Sequence, residues 1–193
     1  MTWRPDSIEY LLDGTDKQRR AYAALSGHSI MLCLRPFDPV LVSSLCLDLD
    51  TPASDLDIIC EFANPDHFED TVRLAFNTER NFLCCRGKGN YGVYVSAQFE
   101  VDEFLMEVYG EACPVREQNG YRHLVLAARV LECGGSNLKT QIKKLRAAGF
   151  KFEAAFAELF SLQGDPYQSF LELEQLSDRE LLQLCLRAQK KIL

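Results

Sequence analysis

Hydrophobic and polar positions divide the chain into a mixed α/β first half and a helical second half. Thr15-Asp16-Lys17-Gln18 has capping-box form and predicts a helix to about Leu25. Pro39 to Ser43 predicts a short strand, and Asp48 to Ser54, with Pro52, a polar loop. Asp55 to Phe62 alternates and then turns apolar, as a strand entering a core does. Asp66 to Thr78 carries Phe68, Val72, Ala75 and Phe76 at helical spacing. Asn81 to Cys85 predicts a strand and Gly87-Lys88-Gly89-Asn90 a turn. Tyr91 to Phe99 and Phe104 to Tyr109 predict a hairpin joined through Glu100 to Glu103.

From Pro114 the period is helical. Tyr121, Leu124, Val125, Ala128 and Leu131 form one apolar face, and Gly134-Gly135 ends that helix. Ser136 starts the next, closed by Gly149. Phe152, Phe156, Leu159 and Phe160 line a third helix, broken at Gly164-Asp165-Pro166. Ser177-Asp178-Arg179-Glu180 is a second capping box, predicting a last helix to the C-terminus. These elements place an α/β core in residues 1–112 and a helical subdomain in 113–193.

Composition narrows the class. The 193 residues, 47% hydrophobic and 25% charged, are those of a globular chain. No apolar run is long enough to span a bilayer, which argues against a membrane partner. The N-terminus lacks a basic region followed by an apolar one, so the cytoplasm is the expected compartment. A net charge of −7 disfavours long nucleic acid as a partner, since sequence-blind binding needs a basic surface. Eight cysteines include no C-x-x-C pair and sit mostly in apolar runs, so buried, reduced thiols are expected. A thiol-metal or redox protein is the competing reading.

The segment with most chemical content is Asp55-Leu56-Asp57. In an extended chain alternate side chains share a face, so Asp55 and Asp57 point together while Leu56 and Ile58 enter the core. Two carboxylates so placed repel, and a hard divalent cation with oxygen ligands relieves that repulsion. The pattern alone also fits a turn-stabilising Asp55 and a solvent-facing Asp57.

Val42-Ser43-Ser44, a ten-residue loop and Asp55-Leu56-Asp57 resemble the signature of the nucleotidyltransferase superfamily. That signature is a strand ending in Gly-Ser or Gly-Thr, a loop, and a strand beginning Asp-x-Asp. Pro52-Ala53-Ser54-Asp55-Leu56-Asp57-Ile58 is close to the form in its minimal members. Asp13-Gly14-Thr15-Asp16-Lys17-Gln18, Glu107-Val108-Tyr109-Gly110, Pro114 to Gln118, Tyr121 to Leu124 and Gly164 to Tyr167 are similar to segments of a bacterial family of unassigned function with this fold. The resemblance implies a small mixed sheet with helices on one side, followed by a helical bundle of about four helices. A ligand cleft is expected between the two halves, since pockets favour such boundaries. The resemblance further implies transfer of a nucleotidyl group from a nucleoside triphosphate to an unidentified acceptor, with Mg²⁺ (or Mn²⁺) held by Asp55, Asp57 and a third carboxylate. Glu107 is the preferred third acid, because it stands alone in the apolar run Phe104 to Val108, where burial is costly without a partner. Glu100 and Asp102 are the rivals and read as turn residues.

One departure bears on activity. Ser43 stands where the signature has glycine, a residue that lets the backbone approach a phosphate. Ser43 is thus expected to crowd that approach, while Ser44 still offers a hydroxyl and an N–H. A non-catalytic nucleotide-binding or protein-interaction module on the same fold is the alternative. In the helical half, Arg116, Arg122, Lys139 and Lys151 are candidate phosphate contacts, and Lys143 and Lys144 read as a solvated face near a helix end. His123 lies off the apolar stripe, and two uses are open to it: contact with substrate, or a structural hydrogen bond. Gly87-Lys88-Gly89 lacks the longer phosphate-loop pattern and reads as a hairpin turn.

Overall fold

The structure is a computed structural model and describes residue 4 and residues 6–190. The far end of the last predicted helix, residues 191–193, and residues 1–3 and 5 lie outside it. Contacts divide the chain into two units. One comprises Met1–Asp48 and Ser54–Tyr121, the other Leu49–Ala53 and Arg122–Leu193.

The first unit contains α1 (Asp16–Gly27), α2 (Ile30–Leu34), β1 (Val40–Leu41), β2 (Leu56–Glu61), α3 (Pro65–Phe76), β3 (Arg80–Gly89), β4 (Gly92–Val101) and β5 (Phe104–Glu111). Its sheet has the order β1-β2-β5-β4-β3. β2 and β5 run parallel, and the other neighbours are antiparallel. The capping box at α1 forms as predicted: Thr15 accepts from the Gln18 N–H and Gln18 returns the bond. Gln18 is itself buried, and its amide donates to the Leu45 carbonyl at 2.8 Å. The helix start thus tethers the short turn, Ser44–Leu47, that follows β1.

One sheet face is apolar across β2, β5 and β4. Leu56, Ile58, Val95, Phe99, Met106 and Val108 are buried on it, as are Phe68, Val72 and Phe76 of α3. Phe76 stacks on Phe99 at 4.7 Å, and Phe68 meets Phe37 edge-on at 4.8 Å. Gly110 is required here, because a Cβ at that position would lie 2.4 Å from the Phe68 ring. The opposite face carries the polar alternates: Asp57 and Glu61 on β2, Glu107, Tyr109 and Glu111 on β5, and Tyr94, Ser96, Gln98 and Glu100 on β4.

Two local expectations are corrected. β3 runs on through Gly87 and Lys88 to Gly89, and the turn falls at Asn90-Tyr91. Gly87 pairs with Tyr94, whose ring occupies the place of a Cβ, 2.2 Å from its ideal position. This glycine therefore serves close packing across two strands rather than chain reversal. Glu100 is a β4 residue opposite Leu105; the turn is Asp102-Glu103, with Asp102 left-handed at φ 52°.

The second unit holds the greater part of α4 (Asn119–Ala147), then α5 (Phe152–Phe160), α6 (Pro166–Leu171) and α7 (Asp178–Lys190). α4 is broken at Gly135 (φ 67°, ψ −167°), where the sequence ends one helix and begins the next. Phe156 and Phe170 stack at 4.6 Å within its core. Ser177 and Glu180 form the second capping box at α7. Leu49 is buried and its carbonyl accepts from Arg146, so the loop residues 49–53 pack with these helices. Among the described residues, no helix is long and apolar enough to cross a membrane.

Candidate metal centre

Asp55 stands just before β2 and Asp57 is its second residue. The Asp55 carbonyl accepts from the Ser43 hydroxyl at 2.6 Å, and the Asp57 carbonyl accepts from the Val42 N–H at 2.8 Å. Both carbonyls thus point toward the limb that follows β1. Alternate residues whose carbonyls point the same way also share a side-chain face. The parallel register places Glu107 of β5 directly beside Asp57. Ser96 and Gln98 of β4 donate to the two Glu107 oxygens at 3.4 and 3.5 Å, which orients the carboxylate.

Asp55, Asp57 and Glu107 each bring a carboxylate oxygen to within 4.8 Å of the others, all three half-buried. Around Mg²⁺ or Mn²⁺, oxygens bonded at about 2.1 Å stand roughly 3–4 Å apart. Small rotations of these side chains reach that spacing, and an all-oxygen donor set suits a hard cation. Among the described residues, this is the one group of three or more His, Cys, Asp or Glu so arranged. The rivals to Glu107 are engaged elsewhere: Glu100 pairs with Arg80 and Asn81, and Asp102 lies 3.9 Å from His28.

Ser43 is fully buried at φ −65°. Its side chain turns inward, donating to Asp55 and accepting from the Leu45 N–H. Its hydroxyl is thus committed to the chain's own backbone. Ser44 is half-buried, with its hydroxyl 3.4 Å from that of Ser54.

The candidates of the second unit are spread among other tasks. Arg122 pairs with Glu174 at 2.6 Å. His123 is only 3% exposed: its Nε2 lies 2.9 Å from the Tyr167 carbonyl and its Nδ1 3.6 Å from Glu153. The buried face of α4 is wider than the stripe read from the sequence and includes position 123, which takes the structural alternative. Lys151 is exposed at the N-cap of α5, with no side-chain cap bond there. Arg116, in the first unit, is held by Asp6 and Tyr121.

All eight cysteines are unbridged. Burial pushes the Cys46 thiol up to about 12 and Cys185 to about 11, against the thiolate form that soft-metal binding needs. Sequence reasoning missed Ser96 and Gln98; alternation along β4 was the available signal. It also missed Gln118, whose buried amide donates to the Cys60 and Cys113 carbonyls and ties β2 to the segment that follows β5.

Glu111, on the same sheet face, is 8% exposed. Burial raises its pKa, opposed by the Tyr109 hydroxyl, which donates to it at 3.2 Å. With the folded value above the unfolded one, its contribution is complete at acid pH and is lost as pH rises through the folded value. Glu111→Gln is therefore expected to be more stable than the native chain at neutral pH, with the difference fading below about 4.5. Urea midpoints measured across pH check this.

The mixed five-stranded sheet with its helices is similar in fold to solved nucleotidyltransferases. A structure of the Cid1 poly(U) polymerase with MgGTP bound superposes with a TM-score of 0.52 at 15% identity, covering 84% of this chain and 53% of that one. A second Cid1 structure, described for its RNA terminal uridylyl transferase activity, gives 0.50 at 14%, over 84% and 52%. The chain thus spans about half the length of these structures. It belongs to the family described as Domain of unknown function (DUF4269), matched over residues 23–173. No curated protein sequence matches it.

Proposed function

We propose that this chain is a divalent-metal-dependent nucleotidyltransferase that moves a nucleotidyl group from a nucleoside triphosphate to an acceptor hydroxyl. The observation that carries the reading is the convergence of Asp55, Asp57 and Glu107 on one sheet face of this fold. Asp55 and Asp57 hold the ion, Mg²⁺ or Mn²⁺, and Glu107 completes the set or takes the acceptor proton. When bound, the ion neutralises charge on the triphosphate during phosphoryl chemistry. The protein's part is positioning. Ser43 and Val42 fix the backbone of the two aspartates, Ser96 and Gln98 aim Glu107, and Ser44 offers a hydroxyl and an N–H to phosphate oxygens. Among the candidates of the second unit, Lys151 is exposed, whereas Arg122 and His123 are engaged internally.

Calorimetry with a non-hydrolysable triphosphate tests the reading. Binding is expected only with Mg²⁺ or Mn²⁺, and is expected to be lost in the double variant Asp55→Ala, Asp57→Ala while the fold is kept. Equal binding without metal, or in the double variant, contradicts it. Metal-dependent binding with no transfer to any acceptor would leave a nucleotide-binding module.

A further inference from the structure

The two capping boxes differ in one respect. At α7, Glu180 caps from an exposed position, its carboxylate accepting from Ser177. At α1, the corresponding residue is Gln18, which is 4% exposed. Capping uses its amide oxygen, which accepts from the Thr15 N–H at 2.8 Å. The amide nitrogen reaches much further along the chain. It donates to the Leu45 carbonyl at 2.8 Å and to the Cys46 carbonyl at 3.5 Å. A glutamate could cap α1 as well, but an ionised carboxylate has no proton to give those carbonyls, so the glutamine carries a second task.

Leu45 and Cys46 are the middle of the turn Ser44–Leu47, and both are buried. Water therefore does not replace the Gln18 donor if it is lost. The turn is tied at two points. On one side the Ser43 hydroxyl accepts from the Leu45 N–H and donates to the Asp55 carbonyl. On the other side stands Gln18. Ser44 belongs to the same turn, and its hydroxyl is the one offered to phosphate oxygens. Gly14 leaves room for the tether: a Cβ there would overlap the Gln18 amide, with Cδ only 2.8 Å away.

We propose that Gln18 is a positioning residue of the triphosphate site, acting through the Ser44–Leu47 turn to hold the Ser44 hydroxyl in place. This rests on the nucleotidyl-transfer reading above and brings α1 into that site. The metal set is independent of the tether, because Ser43 and Val42 fix the backbone of Asp55 and Asp57. Gln18 thus bears on the triphosphate and not on the ion. A hydrogen bond to a charged phosphate is strong but directional, so a turn that drifts forfeits it.

Calorimetry on the full chain tests this with two probes, Mn²⁺ alone and a non-hydrolysable triphosphate with Mg²⁺, beside thermal melts. Gln18→Met removes the tether. Gly14→Ala keeps the glutamine but displaces its amide. Thr15→Ala removes the hydroxyl that accepts from the Gln18 N–H, which weakens the cap and spares the tether. Gln18→Met and Gly14→Ala are each expected to weaken triphosphate binding about tenfold with Mn²⁺ affinity kept. Thr15→Ala is expected to lower the melting temperature with triphosphate affinity kept. Added to Ser44→Ala, Gln18→Met is expected to cost little more, since both act through one hydroxyl. Unchanged triphosphate binding in Gln18→Met, an equal loss of Mn²⁺ affinity, an equal loss in Thr15→Ala, or full additivity with Ser44→Ala overturns the positioning role alone. Absence of metal-dependent triphosphate binding in the native chain overturns the nucleotidyl-transfer reading, and the role of Gln18 falls with it.

Discussion

Asp57→Asn is expected to lower the proposed nucleotidyl transfer by about 10²–10³-fold while making the ion-free chain more resistant to heat. The amide keeps the shape of the side chain and the backbone bond to Val42, so the sheet is undisturbed. It removes one charge from three acids whose oxygens lie within 4.8 Å. On the proposed function, the loss of rate follows because that charge would act where phosphoryl charge develops, where one such group removed costs about 10²–10³-fold. The gain in stability follows from the relieved repulsion, worth about 1 kcal/mol for half-exposed groups after screening, or about 2–4 °C in a chain of this size. Mg²⁺ reverses the order: ligand binding to the folded state raises the native melting temperature and the variant gains less. Thermal melts with and without Mg²⁺, beside a transfer assay, check both halves. Equal gains from Mg²⁺ in the two chains would remove Asp57 from the metal site.

Gly110→Ala is expected to destabilise the first unit by about 2–3 kcal/mol, the cost of overpacking a close-fitted core. The new methyl would sit 2.4 Å from the Phe68 ring. That ring has no free space, being fully buried between Phe37 and Phe62. Phe68→Ala alone is expected to cost about 3–5 kcal/mol through the cavity it leaves. In the double variant the methyl occupies part of that cavity, so the total falls short of the sum of the single effects. Urea unfolding of the three variants measures the coupling, and simple additivity would show that Gly110 and Phe68 do not constrain each other.

Local rules made much of this architecture legible. Thr15 and Gln18, and Ser177 and Glu180, are short-range signals whose chemistry is complete within one helical turn, and both capping boxes form. The shared face of Asp55 and Asp57 follows from strand alternation alone. Glu107 was reachable because a lone acid in an apolar strand needs a reason to be there. Its position beside Asp57 was not, since that depends on the parallel pairing of β2 with β5, and no local pattern encodes which distant strands pair. Gly87 and Glu100 were misread for the same reason. Their partners, Tyr94 across the hairpin and Arg80 with Asn81, come from cross-strand neighbours that a single-strand pattern does not show. The burial of His123 escaped because a helix packed on more than one side buries residues outside its main stripe.

The pairing of β2 with β5 also has a kinetic meaning. The β3-β4-β5 meander closes through near neighbours in the chain, but residues 57 and 107 meet only after a far slower search, since distant contacts sacrifice the most chain entropy before any reward. A nascent or partly folded molecule therefore holds its acids apart and is a poor chelator. If the three acids hold a cation as proposed, competence to capture it arrives together with closure of the sheet, so the appearance of cation uptake during refolding would itself time this long-range event.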